Sequence, residues 1–256
     1  MDYSRVIEEV KHFLNRKLEK TDAEGYVVGV SGGIDSAVTA KLAVEAVGAD
    51  NVNGWVMPGK PSKNENTADA IELCENLGIN YREVSIESTV NEFKDVAPFE
   101  NSKETLGNIR ARTRMVYEYI DANENNLLVL GTGNRSELLI GYFTKYGDAA
   151  TDISPVADLY KTEIKRLAEH LGLDKKFIDK EPSAGLWDDH SDREEIGLTY
   201  HKIDLILKQL IEQEKSVKEI ANDDITRQEV ERISEMHQKS SHKRSMSEIL
   251  ELRPEK

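Results

Sequence analysis

Apolar residues recur at three- and four-residue spacing through Val6, Ile7, Val10, Phe13, Leu14 and Leu18, which predicts an amphipathic helix at the start of the chain. Such a stripe suits either covering a sheet or packing against a second subunit. The pattern then changes. Tyr26, Val27, Val28 and Val30 form a short β-branched and aromatic run that reads as a buried parallel strand, and Ser31 to Ser36 breaks it. Beyond the break, Ala37, Val38, Ala40, Leu42, Ala43, Val44 and Val47 return to the spacing of a helix packed on a sheet. Val52 to Met57 predicts a second strand, and Pro58 to Asn64 a polar turn. Thr67 to Leu77 follows as a helix closed by Gly78, and Asn80 to Ile86 as a third strand. Further on come a long helix over Leu106 to Ala122, a fourth strand at Leu127 to Leu130 and an extended piece over Ile153 to Lys161. A helix over Thr162 to Leu171 and closing helices at Ile203 to Leu210 and Ile225 to Met236 complete the chain. Strands separated by helices imply right-handed crossovers and a parallel sheet. The expectation is an α/β fold: a doubly wound, mostly parallel five-stranded sheet with helices on both faces, forming one domain over residues 1–256.

Composition narrows the function more than the fold. A net charge of −14 argues against binding nucleic acid through general charge, although a local basic cluster can still hold a phosphorylated small molecule. Cys74 is the single cysteine, so no intrachain disulfide or cysteine-based zinc site is expected, and its helical setting marks it as a small core residue. The first ten residues lack the apolar region of a signal peptide, and no run reaches the length of a membrane span. The default expectation is a reducing, cytoplasmic setting with no membrane contact.

The first strand–turn–helix carries the candidate chemistry. Strand, glycine-rich turn and helix together present backbone N–H groups to an anion. No lysine follows the glycines as a Walker loop requires, and Gly29, Gly32 and Gly33 do not fit the dinucleotide fingerprint. What stands there is Ser31-Gly32-Gly33-Ile34-Asp35-Ser36. The two glycines allow close backbone approach, and Ser31 and Ser36 add hydroxyls. Asp35 would repel bare phosphate, so it implies a cation, most simply Mg²⁺, between carboxylate and phosphate. The plain alternative is an ordinary βα turn with Ser36 as N-cap. Asp35-containing SGGIDS resembles the pyrophosphate loop of the N-type ATP pyrophosphatases, which cleave ATP to AMP and pyrophosphate to activate a carbonyl or carboxyl carbon.

A second glycine-rich turn, Gly131 to Glu137, leaves the fourth strand. Thr132 there can hydrogen-bond a nucleotide, and Glu137 can either share a metal with Asp35 or serve as a first-turn dipole carboxylate. On a helical wheel the long helix places Ile109, Thr113, Val116 and Ile120 on a buried stripe and Arg110 and Arg114 in solvent. Arg112 falls at the stripe's edge, suited to clamping a phosphate or carboxylate. Gly141 to Asp152 has three aromatics, a lysine, two aspartates and no periodicity, which favours function over filler. Lys161 sits at a helix start, against the dipole, and an anionic ligand explains it better than the helix does.

The succession GTGNRSE, GYFTKYGD, SPVADLYKTEI and PSAGLW resembles the ammonia-dependent NAD⁺ synthetase family over nearly the whole chain, from the first helix to SSHKR near the end. The resemblance implies a Rossmann-like fold of the adenine nucleotide alpha hydrolase type. It implies ATP-dependent adenylation of deamido-NAD⁺ and displacement of AMP by ammonia. Carried over by motif, Gly29, Val30, Ser31, Gly32, Gly33, Ile34, Asp35, Ser36, Thr132, Lys161 and Ser183 contact ATP. Asp35 and Glu137 bind Mg²⁺. Arg112, Lys145, Asp152, His242 and Lys243 contact deamido-NAD⁺, and Asp152 and Lys161 take part in the chemistry. The family further implies a homodimer and, with no room for a glutaminase domain, free ammonia as nitrogen donor.

One stretch departs from the pattern. Asp179 to Gly197 resembles the family's mobile lid, but Asp189-His190-Ser191-Asp192-Arg193 stands where GQTDE is usual. Competing readings are another pyrophosphatase-loop ligase, GMP synthetase-like or tRNA-modifying, and a nucleotide-binding module without catalysis. The last would have little need for Glu137, Lys145 and Lys161.

Overall fold

The computed structural model describes residues 1–98, 100–183, 185, 191–250 and 252. Along the chain run α1 (Tyr3–Thr21), β1 (Gly25–Gly29), α2 (Ile34–Val47), β2 (Val52–Val56), α3 (Asn64–Leu77), β3 (Asn80–Glu83), α4 (Glu87–Val96) and α5 (Lys103–Asn125). They are followed by β4 (Leu127–Leu130), α6 (Arg135–Ile140), α7 (Lys161–His170), α8 (Lys175–Asp179), α9 (Asp192–Ile196), α10 (Tyr200–Leu207), α11 (Val217–Ile220) and α12 (Arg227–Lys239). The four strands are parallel in the order β3-β2-β1-β4. The order reverses direction at β1, so the crevice of this doubly wound sheet opens at the carboxyl ends of β1 and β4.

Alternation along the strands splits the core into two layers. Tyr26, Val28 and Leu130 face α1, α2 and α7, while Val27 and Val129 face α4 and α5 with Trp55, Met57, Ile86 and Val90. Tyr26 also donates from its hydroxyl to the Leu14 carbonyl at 2.7 Å, tying α1 to the sheet. That answers the first of the two roles open to the α1 stripe, since Val10 and Leu14 are buried against this layer. Cys74 is buried in the same layer, as its helical spacing suggests. A third apolar cluster joins α6 to α10 and α12 through Ile140, Ile203, Ile206, Val230 and Ile233. Gly78 closes α3 at φ +68°, with its N–H bonded to the carbonyls of the last turn.

Two expectations need correction. The extended piece after Asp152 is not a fifth strand: Ile153 makes a single parallel bridge to Leu130. Pro155 lacks the N–H that the ladder would need two residues later, so pairing stops there. The face of α5 is only partly as expected: Thr113 is buried and Ile109 packs against the apolar layer, but the other half of the stripe is not buried. Val116 and Ile120 are 51% and 50% exposed, whereas Arg110 is 8% exposed and faces inward. Arg114 turns inward with it, donating from Nε to the Met57 carbonyl at 3.0 Å. Arg110 pairs with Glu87 at 3.4 Å. Lower on the same face, Asp121 accepts from the Trp55 indole at 2.7 Å and from Asn53 and Asn125. Arg112 is exposed and not half-covered. The helix thus packs a polar face on the sheet, where Arg110, Arg114 and Asp121 each meet a partner that offsets part of the cost of burying them.

Candidate active site

β1 ends at Gly29, and the chain turns through Ser31-Gly32-Gly33 into α2. Gly32 has φ +77°, and a Cβ on it would lie 2.1 Å from the Asn66 carbonyl oxygen, so both backbone conformation and space demand glycine. The N-cap of α2 is Gly33, not Ser36, and no side chain caps the helix. Ser36 instead folds its hydroxyl back under the turn. It donates to the Gly33 carbonyl at 3.0 Å, accepts from the Ser31 N–H at 3.2 Å and lies 3.1 Å from the Ser31 hydroxyl. The Gly33 N–H donates to the Ser31 hydroxyl at 3.3 Å, and the Ile34, Asp35 and Ser36 amides behind it open a 14-residue helix whose N-cap offers no side-chain acceptor, which is the arrangement that seats an anion.

Across the crevice, β4 leads through Gly131-Thr132-Gly133 to Asn134, the N-cap of α6. Asn134 and Glu137 form a capping box: the Asn134 side chain accepts from the Glu137 N–H at 3.0 Å, and the Glu137 carboxylate accepts from the Asn134 N–H at 3.3 Å. The Asn134 amide reaches on to Asp35 Oδ1 at 2.9 Å. Lys161, the first residue of α7, places Nζ 2.5 Å from Asp35 Oδ2 and 3.0 Å from Glu137 Oε1. Asp35, Glu137 and Lys161, far apart in sequence, thus meet at the mouth of the crevice. The backbone of Lys161 is held by Ser136, whose Oγ accepts from its N–H at 2.8 Å and donates to Asp204. The other Asp204 oxygen accepts from the Thr162 N–H and hydroxyl. Lys161 Nζ also lies 5.0 Å from the centre of the Tyr200 ring.

The electrostatics follow from this packing. Burial works against the Lys161 ammonium, but Asp35 and Glu137 outweigh it and hold its pKa above the ordinary lysine range. Burial, with the Asp35 charge beside it, pushes the Glu137 carboxyl up to about 7 despite the attraction of Lys161. The triad carries one net negative charge when both carboxylates are ionised, and Glu137 is the member that gives way to a proton.

Mg²⁺ fits this donor set. Asp35 and Glu137 already converge on one cation, the lysine ammonium, and both offer hard carboxylate oxygens. Among the described residues no group of three His, Cys, Asp or Glu side chains forms a complete metal cage. Two carboxylates that leave the remaining positions to water and substrate phosphates match the way Mg²⁺ is commonly held.

A second cluster surrounds the loop after α6. Arg112 donates to the Lys145 carbonyl at 3.1 Å, and the Lys145 ammonium to the His242 carbonyl. Lys243 donates to the carbonyls of Gly141 and Phe143 at 2.8 Å each, so two of its three N–H donors hold the loop. Asp152 is exposed, with Oδ1 accepting from the Tyr119 hydroxyl at 3.2 Å and Oδ2 from the Val129 N–H at 2.8 Å. Arg112, Lys145, His242 and Lys243 are therefore brought together around the loop that follows α6, the helix whose first turn carries Glu137. Thr132 is half-buried on the turn beside Asn134. Ser183 is exposed and lines a cavity of about 470 Å³ with Lys63, Glu181, Pro182, Ser191, Arg193 and Glu194. Trp187, Asp189 and His190 of the lid-like stretch lie outside the described residues.

Three contributors escaped the sequence reading. Asn134 bridges both carboxylates, and its pairing with Glu137 three residues on is a helix-start signature visible in the sequence. Tyr200 and Asp204 reach the site from α10, and no local pattern announces them.

A family description named NAD synthase matches residues 6–247. The chain belongs to the NAD synthase family. The NH(3)-dependent NAD(+) synthetase of Thermococcus sibiricus is 44% identical over 247 residues, covering 96% of each chain. Among solved structures, the NMN synthetase of Francisella tularensis superposes with a TM-score of 0.87 at 34% identity, covering 98% of this chain and 99% of that one. The NH3-dependent NAD synthetase of Campylobacter jejuni gives a TM-score of 0.84 at 35% identity, covering 98% and 100%.

Proposed function

We propose that this protein joins ammonia to deamido-NAD⁺ at the expense of ATP, releasing NAD⁺, AMP and pyrophosphate. The observation that carries the reading is the triad: Lys161 between Asp35 and Glu137, at the end of a lysine-free glycine turn. Support comes from the family and from relatives named for this reaction.

A carboxylate resists ammonia because oxide is a very poor leaving group. The nicotinate oxygen therefore attacks the α-phosphorus of ATP, the bond to the bridging oxygen breaks, and pyrophosphate leaves. Ammonia then adds to the carbonyl carbon of the acyl adenylate and loses a proton, and the C–O bond breaks to release AMP. Gly29 to Ser36 grip the β- and γ-phosphates as one unit, so the α-phosphorus is the electrophile. Lys161 and the α2 amides neutralise charge that builds on the departing oxygens. Thr132 and Ser183 complete the nucleotide contacts. Mg²⁺, when bound by Asp35 and Glu137, supplies further neutralisation of the phosphates. Arg112, Lys145, His242 and Lys243 receive the acidic dinucleotide, and Asp152 orients ammonia or takes its proton. Positioning two anions together is worth up to about 7–11 kcal/mol in favourable cases.

The protein works as a homodimer in the cytoplasm. The exposed Val116 and Ile120 on α5, with Phe93 at 52% and Val96 at 76% exposed on α4, supply an apolar face for a second subunit. Among the described residues no helix is long and apolar enough to cross a membrane. A fully active monomer in sedimentation would refute the dimer.

The test is direct: ATP, Mg²⁺, ammonia and deamido-NAD⁺ are incubated with the protein, and NAD⁺ and AMP are measured. Release of ADP and inorganic phosphate would sink the reading. The likeness to an NMN synthetase favours one second reading, amidation of the mononucleotide acid at the same site. Offering both acids in one assay decides between them.

A further inference from the structure

Lys180 belongs to no motif of the turn, and its ammonium is bound underneath it. Nζ donates to the Gly32 carbonyl at 2.9 Å, to Asn66 Oδ1 at 3.1 Å and to Asp69 Oδ2, 148, 114 and 111 residues away in sequence. The lysine side chain is 20% exposed and that of Asp69 is 12% exposed. Lys176 holds the other Asp69 oxygen at 3.2 Å. Burial works against the Asp69 carboxylate, but the bonds from Lys180 and Lys176 prevail and keep its carboxyl below the ordinary range. The three acceptors are thus a fixed seat for this ammonium, built from α3 and the turn itself.

The peptide between Gly32 and Gly33 is the part of the turn most free to rotate, because neither residue has a Cβ. In a trans peptide the carbonyl and the following N–H point in opposite directions. With the Gly32 oxygen held on Lys180, the Gly33 N–H faces the other way, toward the Ser31 hydroxyl 3.3 Å off on the inner side of the turn. Rotation of this one peptide would turn a carbonyl oxygen toward the phosphate and cost a donor at the same time.

We propose that Lys180 is a positioning residue: by holding the Gly32 carbonyl beneath the turn, it keeps the Gly33 N–H on the opposite side, with the Ser31 hydroxyl, where the pyrophosphate of ATP would take it as a donor. The proposal rests on the reading of Gly29 to Ser36 as an ATP turn. Lys180 touches no reacting atom in this role. It sets the geometry of the groups that do, and it does so from the chain segment that leads into Ser183.

The test uses the full chain with Lys180→Met and Lys180→Arg, with pyrophosphate as the calorimetric probe and the KM of each substrate as a second readout. Loss of a charge-assisted hydrogen bond predicts pyrophosphate binding weaker by about tenfold or more in K180M, with the KM for ATP rising and that for deamido-NAD⁺ holding steady. K180R keeps a donor for the Gly32 oxygen and should recover most of the loss. In the native chain the Gly33 amide resonance should shift on adding pyrophosphate, and in K180M that shift should shrink. Unchanged pyrophosphate binding in K180M overturns the proposal, as does an equal rise of both KM values, which would mean general damage. Should K180M fail to fold, a K180R that folds, binds pyrophosphate poorly and loses the Gly33 shift equally overturns it. A native chain that binds neither pyrophosphate nor ATP removes the ATP reading itself, and the proposal falls with it.

Discussion

Lys161→Met deletes the charge at the centre of the triad while keeping the side chain's length and apolar stem. Lys161 is 8% exposed, and its ammonium bridges Asp35 at 2.5 Å and Glu137 at 3.0 Å. The cost depends on pH in a way the triad dictates. Below about pH 7 Glu137 already carries a proton, its carboxyl raised to about 7 by burial and by Asp35. In that range the variant loses mainly the charge-assisted bond to Asp35, worth about 1.5–3 kcal/mol. Above it, the native triad ionises fully, whereas the variant would face two buried carboxylates with no cation and keeps the proton instead. Holding that proton costs about 1.4 kcal/mol per pH unit, so near pH 8.5 the deficit should be about 2 kcal/mol larger, reaching the ~3–5 kcal/mol typical of a broken buried pair. Urea unfolding of both proteins from pH 6 to pH 8.5, followed by far-UV circular dichroism, measures the difference. Mg²⁺ should stabilise K161M more than the native chain, because a divalent cation then takes the vacated place between the carboxylates. A stability difference flat across this pH range, or an equal response to Mg²⁺, refutes the coupling of the three groups.

Other substitutions probe the rest of the site. Gly32→Ala meets the Asn66 carbonyl and a φ of +77°, so at least ~1–2 kcal/mol of strain should appear in unfolding, with pyrophosphate affinity lost by calorimetry. Glu118 has its carboxyl pushed up to about 8, first by burial and then by Asp148, against Arg114. The folded chain therefore holds a proton that the unfolded chain releases above about pH 4.3, so stability contributed here falls as pH rises toward 8. Glu118→Gln removes that slope, and its advantage in Tm over the native chain should grow between pH 5 and pH 8. Asp152→Asn should leave ATP–pyrophosphate exchange in place but cut amide formation strongly, and unchanged NAD⁺ output would remove Asp152 from the ammonia step.

The first strand, the turn and the second helix were legible because the hydrophobic period changes sharply at Ser31, and Gly32 turned out to need the freedom that its position in the string suggested. The face of α5 was read correctly at Ile109 and Thr113 and misread at Val116, Ile120, Arg110 and Arg114, for a physical reason. A wheel assigns charge to solvent and apolar residues to the core, yet Arg114 finds the Met57 carbonyl and Asp121 finds the Trp55 indole, partners the wheel does not contain. Val116 and Ile120 are left outside on the same grounds. Lys161 announced itself by standing against a helix dipole, but Lys180 carried no such mark. Its acceptors lie on α3 and on the first turn, and only the folded chain brings them to one ammonium.

The burial of carboxylates at the mouth of an anion site makes a demand on the ligand. Asp35 lies in the first turn of α2, and Lys161 opens α7, so the N-terminus of α2 and the Lys161 ammonium would attract a polyphosphate. Asp35 and Glu137 oppose it at short range, and the triad's net charge is negative once Glu137 ionises. A bare ATP tetra-anion meets both effects. ATP accompanied by Mg²⁺ meets only the favourable one, because the cation turns the two carboxylates from repulsive neighbours into ligands. ATP should therefore bind at least about tenfold more weakly in the presence of a chelator than with Mg²⁺, a difference of about 1.4 kcal/mol. The gap should narrow in Glu137→Gln, which removes one source of repulsion and one ligand together. Calorimetric titrations of ATP with and without Mg²⁺ measure it, and equal affinities would mean that Asp35 and Glu137 serve only to hold Lys161.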